Sequence, residues 1–447
     1  MPPRSSKPDK KMPEQNLLEE LKWRGLIHQC TDDDSLAKLL ATSSQTVYIG
    51  FDPTADSLHV GSMMQLMMLR RFQKAGHRPI ALVGGATGMI GDPSGKSEER
   101  NLLSAEQLQK NVDGVASQMR QFLDFGDDRS DGDAGASNNA VLLNNFEWMR
   151  GYSYLEFLRD VGKSFPVGAM MGKESVRSRL DSEAGLSYTE FSYMLLQAYD
   201  FVHLSREHGC LIQAGGSDQW GNITAGIDLG RRMLGKQLFG ITAPLLTTSD
   251  GRKMGKTESG AIWLDPARTS PYQFYQYWRN VDDADVMRCI AYLTEIERSE
   301  YDELDEATKS DPGRRSAQNR LAEWLTDFVH GQEGLANALR ASKMLFGGEI
   351  GVQTDASLSE IFADVPSQEV TREVLEGEGY WIVQALQDAK LANSGGEARR
   401  AVKEGGVYVN NIRANDEKQR LTSSDLASET VMVIRKGKKN YALLRFV

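Results

Sequence analysis

The chain has 447 residues, of which 40% are hydrophobic and 26% are charged, and its net charge is −10. At roughly 100–200 residues per domain we expect about three globular domains, which excludes a disordered or disulfide-scaffold protein. No apolar run approaches the roughly 18 residues of a membrane span. The three cysteines form no CxxC pair, which indicates a reducing compartment and no zinc cluster. The acidic balance of the whole chain argues against a general nucleic-acid binder.

Residues 1–16 are polar, contain proline and lack the apolar core of a secretory signal, so we expect a disordered N-terminal extension. Basic residues outnumber acidic ones in this segment. We expect a cytoplasmic protein, and the basic extension leaves a mitochondrial or plastid address open as the alternative.

A strand–helix–strand unit follows the first 45 residues. Residues 46–51 are β-branched and aromatic, residues 60–76 are apolar almost all round, and residues 78–84 are typical of a second strand. The short connections predict a βαβ unit with a right-handed crossover, and therefore a parallel sheet. Ligands bind at the carboxyl ends of such strands, so residues 52–62 and 84–100 are the first candidates for a functional edge.

The start of the crossover helix carries His59, Gly61 and Ser62. The free N–H groups at a helix start bind phosphate well, and a glycine there lets a nucleotide approach the backbone. A solvated histidine near a helix start is the alternative for so short a motif. We interpret the methionines of residues 63–68 as core packing.

The glycine-rich segment 84–100 is not a phosphate-binding P-loop, because the first required glycine is missing and Pro93 removes an N–H group. It still brings Lys96 and Arg100 near the carboxylate of Asp92. That set suits an anionic ligand that also bears an amine.

Tyr193, Gln197 and Asp200 share one face of a predicted helix that begins with capping-box spacing at Ser187. A phenol, an amide and a carboxylate are costly to bury unless something pairs with them. The alternative is that this face is simply exposed to solvent.

Two glycine-rich loops supply further candidates. Residues 213–222 lack the nucleophile-elbow pattern, so we expect Asp218 to accept hydrogen bonds from ribose hydroxyls. Residues 249–260 carry Lys253, Lys256 and Thr257, and the two lysines can reach a polyphosphate. A solvated basic turn is the alternative for this loop.

The histidines offer no metal site. His203 and His208 lack the HExxH spacing, and we interpret both as ordinary surface or core residues.

The remaining stretches suggest the domain organisation. Residues 126–139 are acidic and aperiodic, as in a surface loop, and the pattern from residue 261 to residue 350 is helical. Residues 351–378 are sparse and acidic, which predicts a linker. Residues 379–447 have the pattern of a small module of two helices and several short strands, and the chain contains no internal repeat.

Together these segments resemble one family. FDPTADSLHVGS and KMGKT resemble the HIGH and KMSKS signatures of class I aminoacyl-tRNA synthetases. YIGFDPTADSLHVG, ALVGGATGMIGDPSGKSEER, SYTEFSYMLLQAYDF and QAGGSDQWGNITAG are similar to the tyrosyl-tRNA synthetases of the bacterial and organellar type. EARRAVKEGGVYVNN resembles the S4 RNA-binding fold that this type carries.

The resemblance implies an α/β Rossmann-like (HUP-type) parallel-sheet catalytic domain over residues 17–260, with a connective insertion. It further implies an all-α anticodon-binding domain over residues 261–350 and a small α+β S4 module over residues 379–447, in a homodimer without membrane contact.

Residue roles are implied by matching position. The tyrosine substrate would be bound by Tyr48, Asp92, Tyr193, Gln197, Asp200 and Gln213. ATP and the adenylate would be bound by Gly50, Asp52, Gly61, Ser62, Gly216, Asp218 and Gln219. The catalytic set would be Thr54, His59, Lys96, Arg100, Lys253, Lys256 and Thr257, with no metal held by the protein and Mg²⁺ carried on the ATP phosphates.

The residue chemistry agrees with this resemblance. Adenylation needs no side-chain nucleophile or base, only positioning and charge stabilisation. Two positions depart from the family pattern, Ser62 in place of the last histidine of HIGH and Ile49 where some members have cysteine. Both bear on contacts to the ATP ribose.

The expected function is ATP-dependent activation of L-tyrosine to tyrosyl-adenylate, with release of pyrophosphate, and transfer of tyrosine to the 3′-terminal adenosine of tRNA(Tyr). The alternatives are a tryptophan-specific relative and a non-catalytic RNA-binding or splicing protein on the same scaffold. Asp200 opposite Tyr48 argues against the first, and the presence of His59, Lys253 and Lys256 argues against the second.

The charge is unevenly distributed. Residues 379–447 carry 12 Lys and Arg against 7 Asp and Glu, a net of +5, and the rest of the chain carries 40 against 55, a net of −15. Two basic clusters in this module favour phosphate contact. The predicted RNA-binding residues are Arg399, Arg400, Lys403, Arg435, Lys436, Lys438 and Lys439.

Overall fold

The structure is a computed structural model. It describes residues 16–94, 104–126, 138–181, 185–257, 260–345, 348, 350–351, 353–362, 365–437 and 440–447. The side chains of Lys256 and Thr257 lie outside this description, as do Lys96, Arg100, Lys438 and Lys439, residues 1–15 of the predicted extension and residues 127–137 of the predicted acidic loop.

The described α-helices and strands alternate from residue 17 to residue 144, and five further described α-helices then lie between residues 144 and 212. The helices are α1 (Leu17–Trp23), α2 (Asp33–Thr42), α3 (Val60–Lys74), α4 (Ala105–Phe122), α5 (Phe146–Met149), α6 (Tyr154–Asp160), α7 (Val167–Met171), α8 (Glu174–Leu180), α9 (Tyr188–Glu207), α10 (Trp220–Leu234), α11 (Pro271–Arg279), α12 (Asp283–Leu293), α13 (Arg298–Ser310), α14 (Ser316–Leu345), α15 (Asp355–Ile361), α16 (Ile382–Asp388) and α17 (Gly395–Lys403). The strands are β1 (Gln29–Cys30), β2 (Thr46–Phe51), β3 (Arg78–Val83), β4 (Val141–Asn144), β5 (Ile212–Gly216), β6 (Phe239–Ala243), β7 (Lys256–Thr257), β8 (Gly260–Ala261), β9 (Ser367–Val370), β10 (Tyr380–Trp381), β11 (Val407–Val409), β12 (Ile412–Arg413), β13 (Arg420–Leu421), β14 (Val431–Lys436) and β15 (Asn440–Phe446).

The central sheet confirms the predicted parallel α/β fold. Its strand order is β1-β6-β5-β2-β3-β4, and all neighbours are parallel except β1, which runs antiparallel to β6 at one edge. Tyr48 in β2 is paired with Ile80 in β3 and with Gln213 in β5. The carboxyl ends of these strands therefore meet at one edge of the sheet, as the βαβ pattern predicts.

Helix α3 begins directly after His59, as the sequence predicts. Met63, Met64, Met67 and Met68 are each at most 1% exposed, so their predicted role in core packing is confirmed. The apolar character of α3 on all sides follows from burial between the sheet and other helices.

The described chain divides into two compact units. The first comprises the residues up to Thr269 and the segment Val281–Leu321, and the second comprises Ser270–Asn280 and the residues from Ala322 onward. The helical stretch 261–350, predicted to be one domain, is thus shared between the two units. Helical periodicity identifies helices but does not show which core each one joins.

The second unit contains a five-stranded sheet in the order β12-β11-β14-β15-β9. Ile382 and Leu386 of α16 and Val402 of α17 are buried in its core. Leu358 and Phe362 are buried in a second cluster with Val433 of β14.

The predicted linker 351–378 differs from the structure, because it contains α15 and β9. Strand β9 pairs in parallel with β15, with Val370 opposite Phe446. Four described apolar residues of this stretch are buried, namely Leu358, Ile361, Phe362 and Leu375.

Among the described helices, none has a stretch long and apolar enough to cross a membrane.

Candidate active site

A cavity of about 300 Å³ lies at the carboxyl edge of the central sheet. Every residue that was predicted to bind tyrosine or ATP lines it, together with three of the predicted catalytic residues. They are Tyr48, Asp92, Tyr193, Gln197, Asp200, Gln213, Gly50, Asp52, Gly61, Ser62, Gly216, Asp218, Gln219, Thr54, His59 and Lys253. Residues separated by about 200 positions in the chain thus share one cavity.

One part of the cavity holds a phenol and a carboxylate. Tyr48 is 1% exposed and Asp200 is 2% exposed. Asn145 Nδ2 donates a hydrogen bond to Asp200 Oδ2 at 3.0 Å, and Trp148 Nε1 donates to Asp200 Oδ1 at 2.9 Å. These two donors fix the orientation of the carboxylate.

Burial raises the pKa of Asp200 to about 7; the charge of Asp52 adds to this rise, while the hydrogen bonds from Asn145 and Trp148 oppose it. Burial also raises the pKa of Tyr48 well above its usual value, and the charge of Asp200 adds to the effect. The phenol is therefore protonated at neutral pH and can donate a hydrogen bond.

Asp52 is connected to the same network. Thr87 Oγ1 donates to Asp52 Oδ1 at 3.1 Å, and Asn145 Nδ2 donates to Thr87 Oγ1 at 3.1 Å. Tyr193 Oη donates to the two Asp52 oxygens at 3.2 and 3.3 Å. Because Asn145 also binds Asp200, the two carboxylates are held by one chain of hydrogen bonds.

Helix α9 turns its polar face toward the cavity. Tyr193 is 5% exposed and Asp200 is 2% exposed, so the alternative of a solvent-exposed face is wrong. Ser187 caps the helix by accepting from the backbone N–H of Glu190, and Glu190 forms a buried ion pair with Arg179 at 2.7 Å.

A third carboxylate lies between α9 and the start of α10. Gln219 Nε2 donates to Asp92 Oδ2 at 2.7 Å, and the backbone N–H of Ser94 donates to Asp92 Oδ1 at 2.9 Å. Gln197 Nε2 donates to Gln219 Oε1 at 3.3 Å. This arrangement presents a carboxylate and two amides to a ligand that carries an ammonium group.

Four buried polar atoms in this cavity have no hydrogen-bond partner among the described residues. They are Tyr48 Oη, Gln65 Oε1, Gln197 Oε1 and Gln213 Oε1. Buried polar atoms are almost always paired in folded proteins, since each unpaired one costs roughly 1–3 kcal/mol. These atoms are therefore available to pair with a polar ligand.

The nucleotide side of the cavity is formed by glycines and by the start of α3. A Cβ on Gly61 would lie 2.7 Å from Cε1 of His59, so the glycine makes room for the imidazole. A Cβ on Gly216 would lie 2.7 Å from Oδ1 of Asp218 and 3.5 Å from Nε2 of Gln65. The absence of a side chain at these two glycines thus makes room for His59 and Asp218 beside the cavity.

Lys253 lies on a β-hairpin formed by residues 246–254, here called the lysine hairpin. Thr248 N–H donates to Arg252 O at 2.8 Å, and Met254 N–H donates to Leu246 O at 2.9 Å. Lys253 is exposed and lines the cavity. Lys253 thus combines the exposure of a solvated basic turn with a position at the cavity.

The lysine hairpin continues into a second hairpin, β7–β8, whose backbone contains Lys256 and Thr257. Gly255 joins the two with a positive φ of 80°, and a Cβ there would lie 3.0 Å from Cβ of Val60. Val60 N–H donates to Ile262 O at 2.9 Å. The loop is thus packed against the first residue of α3.

The predicted RNA-binding residues fall into two groups. Arg399, Arg400 and Lys403 are exposed on α17. Arg399 lies over the ring of Trp381 at 5.2 Å, and Lys403 forms an exposed ion pair with Glu417 at 3.2 Å. The α17 cluster is open to solvent, as expected.

Arg435 and Lys436 differ from the prediction. Arg435 is 8% exposed and its guanidinium lies 3.7 Å from the ring centre of Tyr408. Lys436 Nζ pairs with Glu397 Oε1 at 2.5 Å and donates to a backbone carbonyl. Both charges serve the packing of β14, so neither is a free surface cation.

Four described cavity residues with polar side chains were not predicted, namely Gln65, Thr87, Ser94 and Asn145. Asn145 directly follows β4, and the rule that ligands bind at the carboxyl ends of parallel strands could have identified it. Gln65 lies one turn after Ser62 on α3, so helical spacing was the available signal.

The predicted ordinary role of the histidines agrees with the packing of His203, which stacks on Trp148 at 4.2 Å. Among the described residues, no group of three or more His, Cys, Asp or Glu side chains could hold a metal ion.

Comparisons with known proteins agree with this geometry. A family model of class I tRNA synthetases for tryptophan and tyrosine matches residues 41–347, and a model of the SYY-like C-terminal domain of tyrosine–tRNA ligases matches residues 357–444. The tyrosine–tRNA ligase of Rhodopirellula baltica is 74% identical over 430 residues, which is 96% of each chain. That of Roseiflexus castenholzii is 52% identical over 96% of this chain and 99% of its own.

A solved structure shows the same fold. A C-terminally truncated mitochondrial tyrosyl-tRNA synthetase of Aspergillus nidulans superposes with a TM-score of 0.65 at 31% identity, covering 74% of this chain and 95% of its own. Because these matches extend over nearly the whole sequence and include the signature loops, the chain belongs to the tyrosine–tRNA ligases of the class I aminoacyl-tRNA synthetases.

Proposed function

We propose that this cavity activates L-tyrosine with ATP and then passes the tyrosyl group to the 3′-terminal adenosine of tRNA(Tyr). The observation that carries the proposal is that one cavity contains both a buried phenol–carboxylate pair, Tyr48 and Asp200, and the two signature segments with His59 and Lys253. The pair is suited to a substrate hydroxyl, and the signature segments are suited to phosphates.

The phenol of the substrate donates to Asp200 and accepts from Tyr48 Oη. Phenylalanine would leave Tyr48 Oη unpaired and would offer Asp200 no further donor, which is how a hydrogen-bonding pocket rejects a substrate that lacks the hydroxyl. Asp92, Tyr193 and Gln197 bind the α-ammonium, with Gln213 nearby. The unpartnered oxygens of Gln197 and Gln213 support this assignment.

The nucleotide lies across the glycine-lined side. Asp52, Gly50, Gly216, Asp218 and Gln219 frame the adenylate. Gly61 and Ser62 lie at the start of α3, where the backbone N–H groups favour phosphate.

The first step needs charge stabilisation rather than a side-chain base. A carboxylate oxygen of tyrosine attacks the α-phosphorus, the new O–P bond forms, and pyrophosphate leaves with the electron pair of the bond that breaks. Thr54 and His59 contact the γ-phosphate, and Lys253 stabilises the leaving group together with Lys96, Arg100, Lys256 and Thr257. Fixed donors placed where charge develops are the main source of catalysis here.

In the second step the ribose hydroxyl of the terminal adenosine attacks the carbonyl carbon, and AMP leaves. Magnesium, when bound, neutralises charge on the phosphates. The donor set of the described residues lacks a carboxylate cage, so it suits a metal that is held by phosphates and waters.

The second unit binds the tRNA through the exposed cations of α17. The net charge of +5 on residues 379–447 and the exposure of Arg399, Arg400 and Lys403 support this assignment.

We further infer that the enzyme is a homodimer. Most of the exposed large apolar side chains lie in one stretch of the first unit; they are Phe146, Tyr154, Leu155, Val167, Met171, Leu180 and Tyr188. Such an accumulation is typical of a protein interface.

The three cysteines are free thiols, which suits a reducing compartment, and we infer that the enzyme is cytoplasmic.

Amino-acid-dependent ATP–pyrophosphate exchange tests the proposal. We expect exchange with tyrosine and, after addition of tRNA(Tyr), esterification of its 3′ end. Exchange driven by tryptophan instead would assign the chain to the other specificity. Absence of exchange with either amino acid would indicate a non-catalytic RNA-binding protein.

A further inference from the structure

Helix α12 contacts the lysine hairpin. Arg288 of α12 donates from Nη2 to Thr247 O at 2.6 Å, and Cys289 Sγ lies 3.6 Å from Sδ of Met254. Met254 and Cys289 are both buried. Side chains alternate along a strand, so Met254 is directed to α12 while Lys253 beside it lines the cavity.

Arg288 is itself held in place. Its Nη2 also donates to Asp285 Oδ1 at 2.6 Å, and Asp285 is 1% exposed. A buried carboxylate that lost its cationic partner would be left with an uncompensated charge, so the pair is strongly favoured. The guanidinium thus has one preferred position, from which it reaches the backbone of the lysine hairpin.

The other end of α12 is tied to helix α3. Arg71 of α3 is 3% exposed and donates from Nη2 to Thr294 O at 2.8 Å and to Ala291 O at 3.3 Å. These carbonyls belong to the last turn of α12 and to its C-cap, where unpaired carbonyls and the negative end of the dipole favour a cation. Helix α3 starts immediately after His59.

Helix α12 therefore connects the two signature segments of the site. One of its ends binds the helix that follows His59, and its middle binds the hairpin that carries Lys253. We propose that Arg288 is a positioning residue, which sets the place of Lys253 through its hydrogen bond to Thr247 O. This inference rests on the role of Lys253 in the proposed function.

The test is a double-mutant cycle between Arg288 and Lys253. We expect Arg288→Ala to lower kcat of tyrosine-dependent exchange about tenfold or more, because a displacement of about 1 Å can cost up to about 100-fold. KM for tyrosine should stay unchanged, since the phenol pocket is not touched. In a Lys253→Ala background the same change should have little further effect.

Arg231→Ala is the matched control. Arg231 also pairs with an aspartate three residues earlier on a helix, Asp228 at 3.2 Å, but the pair is exposed on α10. We expect wild-type kcat from this variant. Arg288→Lys keeps a cationic donor at this position, so its kcat should lie between those of Arg288→Ala and the wild-type chain.

Limited trypsin cleavage after Arg252 or Lys253 gives a readout that does not depend on activity. Loosening of the lysine hairpin should make cleavage faster in Arg288→Ala and, to a smaller extent, in Arg288→Lys. If Arg288→Ala fails to fold, kcat and the rate of trypsin cleavage are both measured on Arg288→Lys instead.

Equal losses from Arg288→Ala in the wild-type and Lys253→Ala backgrounds would overturn the inference, as would unchanged trypsin cleavage in the variants. A wild-type chain without tyrosine-dependent exchange would instead contradict the proposed function. Lys253→Ala with wild-type kcat would overturn the role of Lys253, and with it this inference.

Discussion

The cavity of the first unit and the basic clusters of the second were both predicted from short runs of polar residues, but the structure treats them differently. In the cavity, Tyr48 and Gln213 are buried and each has a polar atom that lacks a partner among the described residues. In the second unit, Lys436 pairs with Glu397 and Arg435 stacks on Tyr408. Polar groups thus remain available for a ligand in one region and are used by the fold in the other.

This contrast shows what a polar residue must satisfy before it counts as functional. A buried group whose partner is missing costs stability, so its presence points to a ligand. A charged residue in a basic stretch of the sequence does not indicate a ligand until its neighbours in space are known. The α17 cluster differs from Arg435 and Lys436 in being exposed on a helix face, although Lys403 in it pairs with Glu417.

The largest expected effect comes from Asp200→Asn. Its carboxylate accepts hydrogen bonds from Asn145 and Trp148. Asparagine has an NH₂ group in place of one carboxylate oxygen, so this group would face the N–H of Asn145 or of Trp148 and one of the two hydrogen bonds would be lost. Hydrogen bonds to a charged group contribute roughly 1.5–3 kcal/mol, so we expect kcat/KM for tyrosine to fall about 100-fold in exchange assays.

The matched control is Asp113→Asn, which removes an exposed carboxylate that accepts from Gln109 outside the cavity. It should leave exchange unchanged. A loss of equal size in both variants would show that the cavity carboxylate has no special role.

A smaller effect is expected from pH. The pKa of Asp200 is about 7, raised above its usual value chiefly by burial, so the carboxyl group becomes protonated as the pH falls through neutrality. The neutral acid is a weaker acceptor for the phenol. We expect kcat/KM for tyrosine to fall several-fold as the pH is lowered from 8 to 6. This parameter is the suitable one, because its pH dependence reports the pKa values of the enzyme without bound substrate.

Phenylalanine serves as the internal reference, because it does not use this carboxylate. Its much lower kcat/KM should not follow the same profile, and the inflection near pH 7 should vanish in Asp200→Asn. Parallel profiles for both amino acids would assign the titration to another group.

The smallest effect is expected from the second unit. Replacement of Arg399, Arg400 and Lys403 by glutamate should raise KM for tRNA several-fold and reduce its salt dependence, since phosphate contacts are lost. Exchange without tRNA should be unchanged. Lys436→Gln, in the same module, should leave KM for tRNA unaltered, because Lys436 is half-buried and pairs with Glu397. Lys403, by contrast, is exposed although it pairs with Glu417.

An equal rise of KM in the triple variant and in Lys436→Gln would remove the distinction between the exposed cations of α17 and the half-buried Lys436. No rise in either would place the tRNA contact elsewhere.

The sequence predicts the fold and the cavity residues correctly where the local pattern and the topology of the sheet lead to the same result. The βαβ pattern orders β2, α3 and β3, and the strand-end rule then places Asp52 and Asp92 together without knowledge of the remaining strands. The polar spacing along α9 correctly places Tyr193 and Asp200 on the same face of the helix, which lines the cavity.

The failures involve pairings between distant residues. Arg435 is stacked on Tyr408 because β14 pairs with β11, a register that no short motif reveals. Strand β9 pairs with β15 across about 75 residues, so its stretch was interpreted as a linker. Asn145 acquires its role from two neighbours, Asp200 and Thr87, that lie 55 and 58 residues away.

The central claim is that Tyr48 Oη, which has no partner among the described residues, and the buried carboxylate of Asp200 recognise the phenol of tyrosine. The most direct test is the ratio of kcat/KM for tyrosine and phenylalanine in ATP–pyrophosphate exchange, measured for the wild-type chain and for Tyr48→Phe. Tyrosine–tRNA ligases as a class reject phenylalanine by about 10⁵-fold, a magnitude that belongs to the class rather than to this structure. We predict a ratio of that order for the wild-type chain and a clear decrease for Tyr48→Phe. A ratio near one in the wild-type chain, or the same ratio in both proteins, would contradict the account.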